Sequence, residues 1–498
     1  MVFTSFAFLV FFAGVMVGLA VLPQNRWRQL LILGASCYFY SYWNPKYLLL
    51  LATPSVIDYL CAIRVEDATD PRVRKRWLVL SLITNLGLLA YFKYTNFFID
   101  NVATLFGIEA RHLDIVLPVG ISFFTFKTLS YTIDVYRKEL PACRSILTYA
   151  MFVTYFPELV AGPIVRASVF LPQITRSLRP SWTRARIGLQ VVLLGVTKKL
   201  VIADRFAVFV DPVFASPQSF SSPTIVAAVV AYSFQIYCDF SGYSDIAIGV
   251  SQIIGFDLPE NFNMPYISTS VTEFWRRWHI TLSSWLRDYL YIPLGGNRKG
   301  RVRTYVNLII TMLLGGLWHG ASWNFVIWGL LHGIALAIHK LWQRWRGERR
   351  WRGGWLLGWA ATYSFVCFAW VFFRAHSFGD AWIIIRKLCW VAPGGISWVY
   401  SPLFLLLPLI VVAHLIGVLA ARQAAAFPND DSVPAIQPLE RLYSEAGESF
   451  AVRPHKAAGL YVLLPLPGFV GGFLLTLWLL FVYLFASLDT GAFIYFQF

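Results

Sequence analysis

The sequence predicts an all-α, polytopic membrane protein, and three observations carry the prediction. Hydrophobic residues make up 57% of the 498-residue chain and charged residues only 14%, with a mean hydropathy of +0.59, well outside the composition of soluble globular domains. Nearly uncharged stretches recur at lengths suited to a bilayer core, which about 20 apolar residues span. The basic residues gather in short loops between those stretches, the positive-inside pattern. A net charge of +16 therefore speaks for membrane topology and against a nucleic-acid partner.

In chain order the stretches are residues 1–25, 29–45, 47–57, 77–92, 145–157, 188–197, 212–238, 246–256, 304–339, 353–373, 388–421 and 457–488. Some are too short and some too long for one crossing each, which gives 11–13 transmembrane or re-entrant helices. The first carries no positive charge before Arg26 and no small-residue cleavage site, so it reads as a first span and not as a removed signal peptide. Basic clusters at Arg64 with residues 72–76, at residues 276–303 and at residues 340–352 are assigned to the cytoplasm. The turn near Gly320 then faces the periplasm, for a multi-pass protein of the bacterial inner membrane. Between Phe152 and Phe256 the apolar pattern is broken by Pro157, Glu158, Gly162, Pro163, Lys198, Lys199, Asp239 and Asp245. Irregular or charged backbone at membrane depth survives only inside protein or around a water-filled cavity, so re-entrant segments lining a shared interior are expected.

The chain reads as one membrane domain, 1–498, with no internal repeat, coiled coil or separate soluble unit. Residues 422–456, with Pro428, Asn429, Asp430, Asp431 and Pro434, read as a flexible polar loop. Six cysteines show no C-x-x-C and no pairing with histidines at zinc spacing, so no metal site is expected.

Residues 257–303 form an interfacial helix and a basic loop on the cytoplasmic side. In SVTEFWRRWHITLSSWLRDYL, Ser270 precedes Glu273 by three residues, the capping-box signature of a helix start. At 100° per residue, Phe274, Trp275, Trp278, Leu282, Trp285, Leu286 and Tyr289 share one arc, which predicts an amphipathic helix lying at the interface. His279 falls at the edge of that arc. The following GGNRKGR is suited to phosphate or to anionic lipid.

No Lys, Arg, Asp or Glu occurs from Thr304 to His339, yet His319 and His332 do. Ionisable groups at that depth are costly and point to a function. Gly315, Gly316 and Gly320 around His319 permit close backbone approach or a break in the helix. A neutral imidazole in an apolar surround can take a proton from a hydroxyl and return it, as acyl transfer requires. His332 reads as a hydrogen-bonded packing residue that also borders the interior. There is no GxxxxGK[ST], HExxH or GxSxG, which argues against an ATP-driven pump, a zinc protease and a serine hydrolase.

The segments at 261–297 (NFNMPYISTSVTEFWRRWHITLSSWLRDYLYIPLGGN) and 313–333 (LLGGLWHGASWNFVIWGLLHG) resemble the membrane-bound O-acyltransferase family. More narrowly they resemble its bacterial, alginate O-acetyltransferase-like branch. LPVGISFFTFKTLSYTIDVYR (117–137), YFPELVAGPIVR (155–166), YCDFSGYSDIAIG (237–249) and FIYFQF (493–498) support the likeness. Phe124, Lys127 and Glu158 stand where relatives often carry other residues.

The resemblance implies a ring of helices around a central funnel or tunnel, with His319 at the position of the family's essential histidine and His279 at its second motif position. It implies acetyl-CoA as a transient donor with no permanently bound cofactor, and O-acetylation of an exopolysaccharide through a periplasmic or membrane-anchored partner. On that reading His319 is the general base, and His279 orients the thioester or donates to the oxyanion. Trp318, Trp323, Asn324, His332, Tyr243, Ser244 and Asp245 are candidates for the tunnel. Lys198, Lys199, Arg276, Arg277 and Arg298 are candidates for the donor's phosphates. Two alternatives remain open at this point: a polysaccharide-export component using the histidines as a proton relay, and a lipid acyltransferase.

Overall fold

The structure, a computed structural model, describes residues 1–160, 162–176, 181–347, 353–426, 469–487 and 493. The polar loop expected at 422–456 lies, past the helix end at Ala426, outside the described residues, as does the FIYFQF ending apart from Phe493.

Every regular element described is helical, and the β contribution is an isolated bridge between Phe220 and Ile396. Among the described residues five helices are long and apolar enough to cross a membrane: Tyr47–Asp67, Pro71–Phe106, Ser222–Ile254, Trp323–Arg346 and Gly354–Arg374. Phe6–Val21, Leu403–Ile416 and Gly471–Phe485 are apolar but shorter. The chain is a multi-pass membrane protein. The region where the sequence pattern broke is broken in the fold: Ile146–Thr154, Phe156–Leu159 and Ala167–Thr175 are short helices, and a π-helical turn, Thr197–Ala203, interrupts the next long one.

The 33-residue helix Ser222–Ile254 is the axis of the molecule. Its first half, through Cys238, packs in one apolar cluster, and its second half, from Phe240 on, packs in another. It lies antiparallel to Trp182–Val196 at a distance only glycine permits. A Cβ on Gly188 would come within 2.5 Å of the Gly249 carbonyl oxygen, and one on Gly195 within 2.5 Å of that of Gly242. Seven residues separate the glycines on each helix, so both rungs fall on one face.

Three lysines carried into this interior are paired with carboxylates. Lys127 meets Glu158 at 2.6 Å, Lys198 meets Asp245 at 2.6 Å, and Lys199 bridges Asp204 at 2.8 Å and Asp239 at 2.7 Å. An unpaired ion there would carry a desolvation cost of several kcal/mol, on the order given for buried ions.

The three basic clusters come to one end of the molecule. Arg74 donates to the Tyr136 carbonyl at 2.8 Å and Arg137 to that of Asp288 at 3.3 Å. Lys340 reaches Asn297 at 3.3 Å and Arg344 the Tyr305 hydroxyl at 2.8 Å.

Candidate active site

The segment expected to be one amphipathic helix is two short ones, Val271–Arg277 and Ile280–Leu286, followed by a π turn, Arg287–Tyr291. The start is capped as the sequence suggests: Ser270 Oγ accepts from the Glu273 N–H at 3.2 Å, and Glu273 accepts from the Thr269 N–H at 2.9 Å. The break falls at His279, whose φ of +43° is left-handed. A non-glycine residue held there costs on the order of 1–3 kcal/mol and clusters at functional sites. The kink turns the segment off the interface into the protein. All seven residues of the apolar arc are buried, and His279 is 0% exposed.

The kink brings His279 to the Trp318 ring, which also borders His319, the last residue of the helix Arg301–His319. That helix rises about 28 Å at 1.5 Å per residue from the basic end. The two apolar clusters of the core join here: Leu282, Trp285 and Trp318 belong to one, Trp278 and Trp328 to the other. The Trp318 ring lies 4.9 Å from that of His319 and 6.4 Å from that of His279. Trp328 links the other pair, 5.0 Å from His319 and 4.8 Å from His332. His332 accepts from the Trp275 indole N–H at 3.3 Å, the packing role expected of it. The three histidines thus form one buried group with no membrane-facing member.

Lys93 closes the site from outside the motifs. Its ammonium donates to the Trp318 carbonyl and to that of His319, the latter at 2.9 Å. Tyr94 donates to the Leu317 carbonyl at 2.8 Å. These are the orphan acceptors at a helix C-terminus, where a cation also complements the dipole. Lys93 is therefore a tether for the end of the helix that carries His319. Its sequence signal is a lone lysine at the end of the uncharged run 77–92.

The remaining expected residues separate. Asn324 is buried and donates to the Ala375 carbonyl at 3.0 Å, tying two helices together. Trp323 is 59% exposed and bonds Asn101 at 2.8 Å, away from the histidines. Tyr243 stacks on Phe493 at 4.4 Å. Ser244 accepts from Asn261 at 3.3 Å, which connects it to His279, and Asp245 is the partner of Lys198.

Of the residues considered for donor phosphates, Lys198 and Lys199 are occupied by buried carboxylates. Arg277 is paired with Glu273 at 3.0 Å, and Arg276 is exposed. Arg298 lines a cavity of about 560 Å³ at the basic end, with Arg137, Arg166 and Lys299 as its other cations and Glu139 and Asp288 as its acids. Burial works against the charge of Asp288, but hydrogen bonds from Arg287 and Arg166 outweigh it and hold the carboxyl below the usual carboxylate range. A column of rings runs from this cavity to the histidines. Tyr289 lies 5.1 Å from Trp285, Trp285 stacks on Phe126 at 3.8 Å, and Phe126 stacks on Trp318 at 5.0 Å.

The sequence profile of the family described as MBOAT, membrane-bound O-acyltransferase, matches residues 32–378, a span that contains every element of this centre. The chain belongs to the membrane-bound O-acyltransferase family. It is 45% identical over 387 residues to the probable alginate O-acetylase AlgI of Pseudomonas aeruginosa, covering 77% of this chain and 74% of that protein. It is 40% identical over 420 residues to the peptidoglycan O-acetyltransferase of Helicobacter pylori, 79% of each chain. The teichoic acid D-alanyltransferase of Bacillus subtilis is 28% identical over 284 residues, 52% of this chain and 69% of that one. The chain is therefore a membrane O-acyltransferase.

Proposed function

We propose that the protein takes acetyl groups from acetyl-CoA at the cytoplasmic face of the inner membrane and passes them to a hydroxyl acceptor on the periplasmic side, through a partner acetyltransferase that modifies an exopolysaccharide. The observation that carries this reading is the cavity lined by Arg137, Arg166, Arg298 and Lys299, joined by a continuous column of rings to His319. Guanidinium groups suit phosphate geometry, and the positive-inside rule assigns that end to the cytoplasm. The three basic clusters of the structure gather there.

The chemistry follows from the groups at the other end of the column. The acceptor's hydroxyl oxygen attacks the thioester carbonyl and its proton passes to His319. The carbon–sulfur bond then breaks, and the imidazolium returns the proton to the departing thiolate. The products are an acetyl ester and free coenzyme A. General base catalysis of this kind contributes roughly 10²- to 10⁴-fold. Burial of the centre among Trp318, Trp328 and Phe373 keeps water from the thioester.

The test is transfer of labelled acetyl from acetyl-CoA by the protein in proteoliposomes, with periplasmic extract on the far side. Label leaving coenzyme A with the native chain and not with His319→Ala supports the reading. Label that never leaves coenzyme A, or activity with long-chain acyl-CoA alone, overturns it; the second result favours a lipid acceptor.

A further inference from the structure

Asn261 lies in the coil between Ser222–Ile254 and Val271–Arg277 and is 1% exposed. Its carbonyl accepts the Ile280 N–H at 2.9 Å, which holds its side chain beside the kink at His279. The carboxamide oxygen lies 3.3 Å from the Thr281 backbone nitrogen, 2.9 Å from Thr281 Oγ1 and 3.0 Å from His279 Nδ1.

The direction of each bond follows from the inventory of donors. A backbone N–H only donates, so the amide presents its oxygen, not its nitrogen, to Thr281. The Thr281 hydroxyl agrees. It accepts the Ile164 N–H at 3.0 Å, so its own hydrogen is left for Asn261. The amide nitrogen turns the other way and donates to Ser244 Oγ at 3.3 Å. With the oxygen so fixed, the His279 nitrogen facing it carries a hydrogen. In a neutral imidazole the other nitrogen, Nε2, then bears the lone pair, and Nε2 is buried with no hydrogen-bond partner among the described residues. Phe240 stands edge-on to the ring at 4.7 Å, and Phe262 and Trp318 lie at 6.4 Å.

We propose that Asn261 is a positioning residue that locks His279 as its Nδ1–H tautomer, so that Nε2 accepts the N–H of the pantetheine amide nearest the donor's thioester. This rests on the acetyl-CoA reading above. A lone pair cannot donate to an oxyanion, and a thioester offers no hydrogen, so the group held by neutral His279 is a hydrogen-bearing one beside the thioester. The course of the chain supplies the geometry. Ten residues along the same kinked segment, about 15 Å at helical rise, Tyr289 borders the basic cavity. That span suits an extended pantetheine arm with its phosphates in the cavity. Fixing the amide fixes the thioester, two carbons away, for attack by the oxygen that His319 deprotonates.

Nitrogen-15 NMR of histidine-labelled protein in lipid, with the His279 signal assigned by its loss in His279→Ala, reads the tautomer directly. The expected result is a protonated Nδ1 and a bare Nε2 in the native chain and in Asn261→Asp, which keeps an acceptor at that point, and loss of that preference in Asn261→Leu. Acetyl transfer should follow: kcat about 10- to 100-fold lower in Asn261→Leu, the scale of losing an orienting partner of a functional imidazole, with substantial recovery in Asn261→Asp. An acetyl-CoA analogue with that amide replaced by an ester should cost the native chain at least about tenfold in kcat/KM and cost His279→Ala nothing further. A native Nε2–H tautomer overturns the proposal, as does an Asn261→Leu chain that keeps the tautomer and the rate. An ester analogue used as well as acetyl-CoA overturns the assignment of the amide. A chain that shows the expected tautomer but transfers no acetyl overturns the functional reading and leaves the lock by Asn261 standing.

Discussion

Asp239 and Phe240 are neighbours on the helix Ser222–Ile254 and face two regions that bury polar groups in opposite ways. Asp239 turns to Lys199, where a cation meets two carboxylates within 2.8 Å. Phe240 turns to His279, which is buried against rings and one carboxamide and whose Nε2 has no hydrogen-bond partner among the described residues. The first region neutralises charge that the fold brings inside, its lysine being taken up by two carboxylates. The second is uncharged and incompletely satisfied. This difference explains why the lysines at 198 and 199, attractive for phosphate by type, are structural, while the histidines are the candidates for chemistry.

The sharpest way to test the contrast is to remove a member of each region. His319→Ala should lower acetyl transfer by roughly 10²- to 10⁴-fold, measured as label released from acetyl-CoA, while the variant elutes as native protein on size exclusion in detergent. Lys199→Met should do the reverse: it strands two buried carboxylates and should lower stability by about 3–5 kcal/mol, read by thermal unfolding, with near-native turnover per folded molecule. Replacing Asp204 and Asp239 together with asparagine in that background should restore most of the loss. If Lys199→Met stays folded and loses transfer as His319→Ala does, the division between the regions fails.

A smaller effect is expected at Lys93, which holds the end of the His319 helix through its backbone. Lys93→Met removes two charge-assisted hydrogen bonds from the end of the His319 helix, and should lower kcat about tenfold through misplacement of the imidazole, with little change in KM. The smallest effect is at Asp288, whose carboxyl is held below the usual carboxylate range. Its contribution to stability is fully present above the unfolded value of about 3.9 and is lost as pH falls through the lower folded one. The difference in stability between native and Asp288→Asn should be about 1 kcal/mol or less, flat from pH 8 to about 5, and should vanish in stronger acid. A difference that instead grew on acidification would contradict the pairing with Arg166 and Arg287.

Composition and charge placement were enough to read the all-helical membrane class, because apolar length and basic loops are summed properties that no single contact decides. The broken region between Phe152 and Phe256 was legible for the same reason: proline, glycine and paired charges interrupt a helix locally. What periodicity missed was the kink at His279. The aromatic arc from Phe274 to Tyr289 is continuous in sequence, and a left-handed residue in its middle leaves that arc buried while turning it from the interface into the core. The site itself was half legible. His319 and His279 carry motif signatures, whereas Thr281 and Lys93 act through hydrogen bonds to residues far away in the chain, and Asn261 acts across the bend between two helices. Arg298 was identified as a phosphate candidate, but the cavity it shares with Arg137 and Arg166 is assembled from three distant segments, which no local pattern records.

The tether at Lys93 spans 225 residues of sequence to Trp318. At about 5–20 residues per second, a ribosome needs on the order of 10–45 s to make that interval. Throughout that time the ammonium lacks the carbonyls that hold it in the finished protein, so the helix that carries Lys93 must wait, with its charge at the membrane surface or sheltered by the insertion machinery, until the histidine helix arrives. The helix that carries Lys93 thus gains this anchor only after the His319 helix has been made.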